Sequence, residues 1–143
     1  MTEREGETAA LYRQVGGWET VSAIVEAFYR RVEADEILRP VYPEDLEPGK
    51  EKLKLFFGEW LGGPPAYSSK YGHPRLRRRH FPFVIDERAA GRWLRHMREA
   101  WREAGVDERI QETVFESLGP LARHMVNADQ DVPREPQRDA FLQ

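Results

Sequence analysis

The sequence predicts an all-α protein, and three observations carry that prediction. Trp18, Val21, Val25, Phe28 and Val32 follow one another at steps of three and four residues, which places them on one face of a helix. No stretch alternates apolar and polar residues between turn signals, as a β-hairpin does. Clusters of glycine and proline separate the periodic stretches, so the helices are short and pack at angles instead of forming a coiled coil.

In chain order, residues 1–8 are polar and predicted to be disordered; a single domain over 9–127 follows. Leu11, Tyr12 and Val15 give a short first helix closed by Gly16-Gly17. The Trp18–Val32 stripe then runs to about Ala34, with Tyr29 on its flank. Three prolines forbid a continuous helix over 35–48 and make it a corner carrying Ile37, Leu38, Val41 and Tyr42. A third helix, Gly49 to Leu61, turns Leu53, Phe56, Phe57 and Trp60 inward and Lys50, Lys52 and Lys54 mostly outward. Gly62-Gly63-Pro64-Pro65 ends it, and a loop with Tyr67 and Tyr71 follows. Asp86 caps a long helix with a stripe at Ala90, Trp93, Leu94, Met97, Ala100, Trp101 and Ala104, closed by Gly105. Asp107 caps the last helix, which carries Ile110, Val114, Leu118, Leu121 and Met125 and should kink at Gly119-Pro120. From 128 to 143 the chain reads as a disordered polar tail.

Composition narrows the function classes. A chain of 143 residues can bury about 68–70% of its unfolded surface in one core. The formal net charge of −3 supplies no global field for nucleic acid, so any basic surface is local. The absence of cysteine removes disulfides, thiolate metal sites, cysteine-linked cofactors and a cysteine nucleophile. Met1 is followed by polar residues, and no stretch approaches the ~18 apolar residues of a membrane span. A cytoplasmic protein without an integral membrane segment is the expectation.

The most informative stretch is Gly72-His73-Pro74-Arg75-Leu76-Arg77-Arg78-Arg79-His80-Phe81-Pro82-Phe83. Leu76 and His80 are one helical turn apart and share a face, while Pro74 opens and Pro82 stops the helix. The residues alone leave three readings open: an imidazole for a metal inside an anionic cofactor, a basic patch for nucleic acid, or a surface turn.

Taken in order, Gly16-Gly17, Phe28-Tyr29, Val41-Tyr42-Pro43-Glu44-Asp45, Gly62-Gly63-Pro64, Gly72-His73-Pro74-Arg75-Leu76-Arg77 and His80 ahead of Pro82-Phe83, with Trp93 beyond, resemble the group II (O-type) truncated haemoglobins. The resemblance spans about Leu11 to Asn127. It implies a two-over-two α-helical sandwich around a non-covalent haem b, with the helix before His80 reduced to a turn. It also implies that His80 is the iron ligand, and that Phe28, Gly49, Lys52, Leu53, Phe56, Tyr67 and Arg79 surround the haem. Lys52, Tyr67 and Arg79 are placed for the anionic propionates by charge or hydrogen bonding. Tyr29, Tyr42 and Trp93 would face the bound ligand, where hydroxyl and indole hydrogens stabilise bound O2, which carries partial negative charge. Gly49 would stand where common globins carry a distal histidine. Phe81 after the proximal histidine, usually alanine in the family, and Pro120 in the last helix depart from the pattern.

The activity implied is reversible binding of O2 and other diatomic ligands at a five-coordinate ferrous iron, with peroxidase or nitric-oxide dioxygenase chemistry within reach of the same site. Such redox chemistry would require an electron-donating reductase as partner, since no Gly-x-Gly-x-x-Gly motif is present; a homodimer is compatible with this reading. The alternative is a helical nucleic-acid-binding or interaction module using Arg75 to Arg79, which lacks a recognised motif and sits on an acidic chain. His73, His96 and His124 read as turn or surface residues.

Overall fold

Two glycines set where the first long helix begins. Gly16 and Gly17 have φ of 124° and 70°, and a side chain on Gly16 would collide with Thr20 Oγ1 at 2.1 Å, so only glycine turns the chain there. The structure, a computed structural model, describes residues 11–136 and 140–143; the predicted disordered segment 1–8 lies outside them. After a helical stretch at 11–15 come α1 (Gly17–Glu33), a 3-10 turn at Arg39–Val41, α2 (Glu47–Trp60), α3 (Ala66–Tyr71), α4 (Leu76–Arg79), α5 (Glu87–Glu103) and α6 (Glu108–His124). No strand occurs among the described residues.

Helix α1 packs on both α2 and α5, and α5 packs on α6. The pair α1/α2 thus lies on the pair α5/α6, a two-over-two sandwich. The apolar stripes meet between the pairs: Val21, Val25 and Phe28 of α1, Met97 and Trp101 of α5, and Leu118 of α6 are buried. Trp101 stands edge-on to Phe57 of α2 and to Phe115 of α6. Each such large apolar side chain contributes about 1.5–3 kcal/mol by leaving water. Both long second-pair helices start on the predicted caps. Asp86 accepts from Ala89 N at 2.7 Å and Asp107 from Arg109 N at 2.8 Å.

Several expectations need correction. Trp18 is 47% exposed, because it stands in the first turn of α1 at the border with α2, its ring beside Gly58. The loop after Pro65 is helical as α3. Glu59 of α2 accepts from Ser68 N and Ser68 Oγ at 2.9 and 2.8 Å, a distant carboxylate satisfying amides that a short helix leaves open. Helix α6 runs unbroken through Pro120; the proline is exposed, so the carbonyl that loses its partner can face water. Lys52 points inward, in contrast to Lys50 and Lys54, which pair with Glu26 at 3.4 and 2.9 Å. His96 leaves the solvent face to meet Asp35 at 2.6 Å. Finally, Ala140, Phe141 and Leu142 are buried, so the tail expected to be disordered from 128 onward ends packed on the domain.

Candidate functional site

The corner between α1 and α2 is tied by two side chains. The buried Asp35 carboxylate accepts from Ile37 N and Leu38 N at 2.8 and 3.1 Å, and from Arg92 and His96 of α5. The Arg92 guanidinium, followed by His96 and the two amides, holds its carboxyl far below the usual carboxylate range against the opposing effect of burial. Arg39 donates to the carbonyls of Tyr42, Pro43 and Glu44 at 3.3, 2.9 and 2.9 Å. A segment with three prolines, unable to make helix bonds, is thereby fixed and presents Tyr42 inward.

Tyr42 joins Tyr29 of α1 and Trp93 of α5 on the wall of one cavity. Tyr29 and Tyr42 meet edge to face with centroids 5.8 Å apart, and the Trp93 side chain hydrogen-bonds the Tyr42 hydroxyl. Burial pushes both phenols well above their ordinary range, with Tyr42 adding to the effect on Tyr29 and Trp93 opposing it on Tyr42. Both therefore keep their protons at neutral pH and remain donors. Phe28 does not line this cavity; fully buried, it stands behind the wall, edge-on to Tyr29 and Trp93. Gly49 acts by having no side chain: a Cβ there would lie 2.8 Å from the Tyr29 hydroxyl.

His80 enters the same cavity from the end of α4. Arg75 takes φ 41°, a left-handed conformation strained for a side-chain-bearing residue, and its N–H donates to His73 Nδ1 at 3.0 Å. His73 is thus a turn residue, as read from the sequence. His80 Nδ1 lies 2.6 Å from the Leu76 carbonyl; since a carbonyl only accepts, Nδ1 carries the proton and Nε2 keeps its lone pair. Burial lowers the His80 pKa to about 4, the Leu76 contact opposing, so the ring is neutral. Asn127, fully buried, supports this side: its amide oxygen accepts from Ile85 N at 3.1 Å and Arg134 at 2.8 Å, and its amide nitrogen donates to the His80 carbonyl at 3.3 Å. Phe81 does not line the cavity and lies under the Arg77 guanidinium at 5.3 Å, so that departure falls outside the pocket wall.

Arg79 turns inward from the basic run, and with it one member of the expected surface patch. It donates to the Tyr67 hydroxyl at 2.6 Å and to the Tyr71 carbonyl at 2.8 Å. Lys52 is buried nearby against the Tyr71 ring and donates to the Ala140 carbonyl at 2.6 Å. Leu53 and Phe56 line the cavity, joined by residues read only as core stripe, among them Leu118 and Met125. Phe141 and Leu142 also line it, and sequence reasoning missed them, although Ala140-Phe141-Leu142 is an apolar run in a polar tail.

This donor set fits haem. A neutral imidazole with a fixed tautomer offers one nitrogen to iron, the walls are apolar and aromatic, and the buried cations Lys52 and Arg79 carry charge of the sign that carboxylates pair with. Residues 10–127 match the family model of the bacterial-like globins. The chain is 43% identical over 111 residues to the group 2 truncated haemoglobin YjbI of Bacillus subtilis, covering 78% of this chain and 84% of the relative. Among solved structures, the haemoglobin of Chloroflexus aurantiacus superimposes with a TM-score of 0.79 at 48% identity, over 82% of this chain and 97% of that one. The truncated oxygen-avid haemoglobin of Bacillus subtilis gives 0.78 at 42%, over 82% and 98%. The chain belongs to the bacterial-like globins and is a haem-binding truncated haemoglobin of group II.

Proposed function

We propose that this globin binds O2 reversibly at a ferrous haem held by His80, and that Tyr29, Tyr42 and Trp93 retain the ligand. When bound, the haem supplies an iron with one coordination position open to a diatomic molecule. The chain's residues do the rest: His80 offers Nε2, the apolar walls exclude water, and Lys52, Tyr67 and Arg79 meet the anionic edge. The observation that carries this reading is the lining of one apolar cavity by a neutral imidazole and three donors, the buried Tyr29 and Tyr42 and the partly buried Trp93, two of them hydrogen-bonded to each other. Because Trp93 donates to the Tyr42 hydroxyl, the Tyr42 proton is directed away from the indole and is available to a ligand. The oxygen avidity of the Bacillus subtilis relative accords with such a pocket.

A hydrogen bond to a partly charged acceptor contributes about 1.5–3 kcal/mol, so losing one should speed release by about 10- to 100-fold. The test is stopped-flow O2 dissociation from Tyr42→Phe against the unchanged protein, both with a haem Soret band. Equal rates would remove Tyr42 from the ligand site.

A further inference from the structure

We propose that Ala140–Leu142 form an intrachain plug that occupies the haem cavity and is expelled when haem enters. Phe141 and Leu142 line the cavity that holds His80 and the Tyr29–Tyr42–Trp93 wall. The Phe141 ring stacks on the His80 imidazole, centroids 5.0 Å apart and planes 25° from parallel. It lies tilted by 32° to Tyr67 and edge-on to Phe56, with centroids 5.9 and 5.8 Å away.

Polar contacts complete the seat. The Ala140 carbonyl accepts from Lys52 Nζ at 2.6 Å, and Phe141 N donates to the Arg79 carbonyl at 3.2 Å. The Leu142 carbonyl lies 3.1 Å from the place a Cβ on Gly49 would take, beside the Tyr29 hydroxyl. The segment thus offers the cavity what haem offers it: a flat apolar ring against the aromatic wall and an oxygen for the buried lysine. With it seated, the cavity measures about 90 Å³, against roughly 300–1,000 Å³ for pockets that take cofactor-sized ligands. Plug and haem are therefore mutually exclusive. The match to the globin family ends at residue 127, so the plug is added to the globin frame.

Exclusive occupancy lowers the apparent haem affinity by the fraction of molecules with the plug out. Haem loading in turn frees Phe141 and Leu142. This inference rests on the cavity being the haem pocket. Haemin is mixed with the haem-free full chain and with its Phe141→Ser/Leu142→Ser variant, and the Soret band is followed by stopped flow at limiting haemin. The variant should load at least about tenfold faster, with unchanged far-ultraviolet circular dichroism. Carboxypeptidase digestion of the unchanged chain, read by intact mass, should spare Phe141 and Leu142 before haemin and remove them after it. That second arm decides the matter if the variant fails to fold. Equal loading by two folded proteins, or digestion indifferent to haemin, overturns the plug and leaves the haem pocket standing. No Soret band from either protein overturns both.

Discussion

The two sides of the cavity are built by different means. The side carrying Tyr29 and Trp93 is held by packing: both residues ride on long helices, α1 and α5, whose stripes interlock around Phe28. The side carrying His80 rests on a four-residue helix, too short to stand by its own backbone bonds. Side-chain hydrogen bonds hold it instead: His80 to the Leu76 carbonyl one turn back and, from distant segments, Asn127 and, behind Asn127, Arg134. A packed wall tolerates a changed polar atom, because the fold does not depend on it. A side held by buried hydrogen bonds does not, since each lost partner strands another polar group.

The largest effects therefore belong on the histidine side. His80→Ala should abolish native haem ligation, with free imidazole restoring a ligated spectrum. His73→Ala should leave the spectrum unchanged, because His73 serves only the turn at Arg75. The reverse pattern would dismiss His80 as the ligand. Next in size is Asn127→Ala, which strands the Ile85 amide at a fully buried site and removes one of the acceptors that hold Arg134. We expect a loss of about 3 kcal/mol in urea unfolding, against about 1 kcal/mol or less for Tyr42→Phe. Similar losses from the two would erase the contrast between the sides.

The corner before α2 is intermediate, since hydrogen bonds to Asp35 fix a segment that packing then uses. Its carboxyl titrates lower in the folded chain than in the unfolded one, so its contribution is complete above the ordinary aspartate pKa of about 3.9 and is lost as pH falls below that value. Arg92 is its charged partner and is partly screened by solvent, and His96 adds a hydrogen bond. Denaturant unfolding at about pH 7 and about pH 3 should show a drop in the unchanged protein about 1 kcal/mol larger than in Asp35→Asn. An equal drop in both would mean that Asp35 does not govern the acid response.

The same contrast explains what could be read from the sequence. The packed side was legible because helical spacing is local: Phe28, Met97 and Trp101 lie in the core where the stripes put them. The wall of Tyr29, Tyr42 and Trp93 and the place of His80 came from the motifs of the resemblance, and all four line one cavity. What escaped is long-range and polar. Nothing near Ser68 announces that Glu59 will cap α3. Nothing near His96 announces Asp35, which lies far off in sequence. Asn127 and Arg134 sit where the chain turns polar and irregular, so no periodicity marks them. Lys52 read as outward by charge alone, although it stands on the buried face with Gly49, Leu53 and Phe56. Only the fold supplies the acceptor that makes its burial tolerable.

The smallest effect is the most diagnostic for the packed side. Trp93 donates to the Tyr42 hydroxyl, so the two should act on a ligand as one network. Removing the indole N–H in Trp93→Phe frees the Tyr42 hydroxyl to rotate and weakens its aim without removing its proton. O2 release should then quicken in both Trp93→Phe and Tyr42→Phe, and the double variant should fall short of the product of the two. The expected shortfall is about 1 kcal/mol, or roughly fivefold in rate. Stopped-flow rates for the four proteins close the cycle, with intact Soret bands as the control that each still holds haem. Purely multiplicative rates would mean that each side chain meets the ligand independently, and the Trp93–Tyr42 bond would then be only a packing contact of the wall.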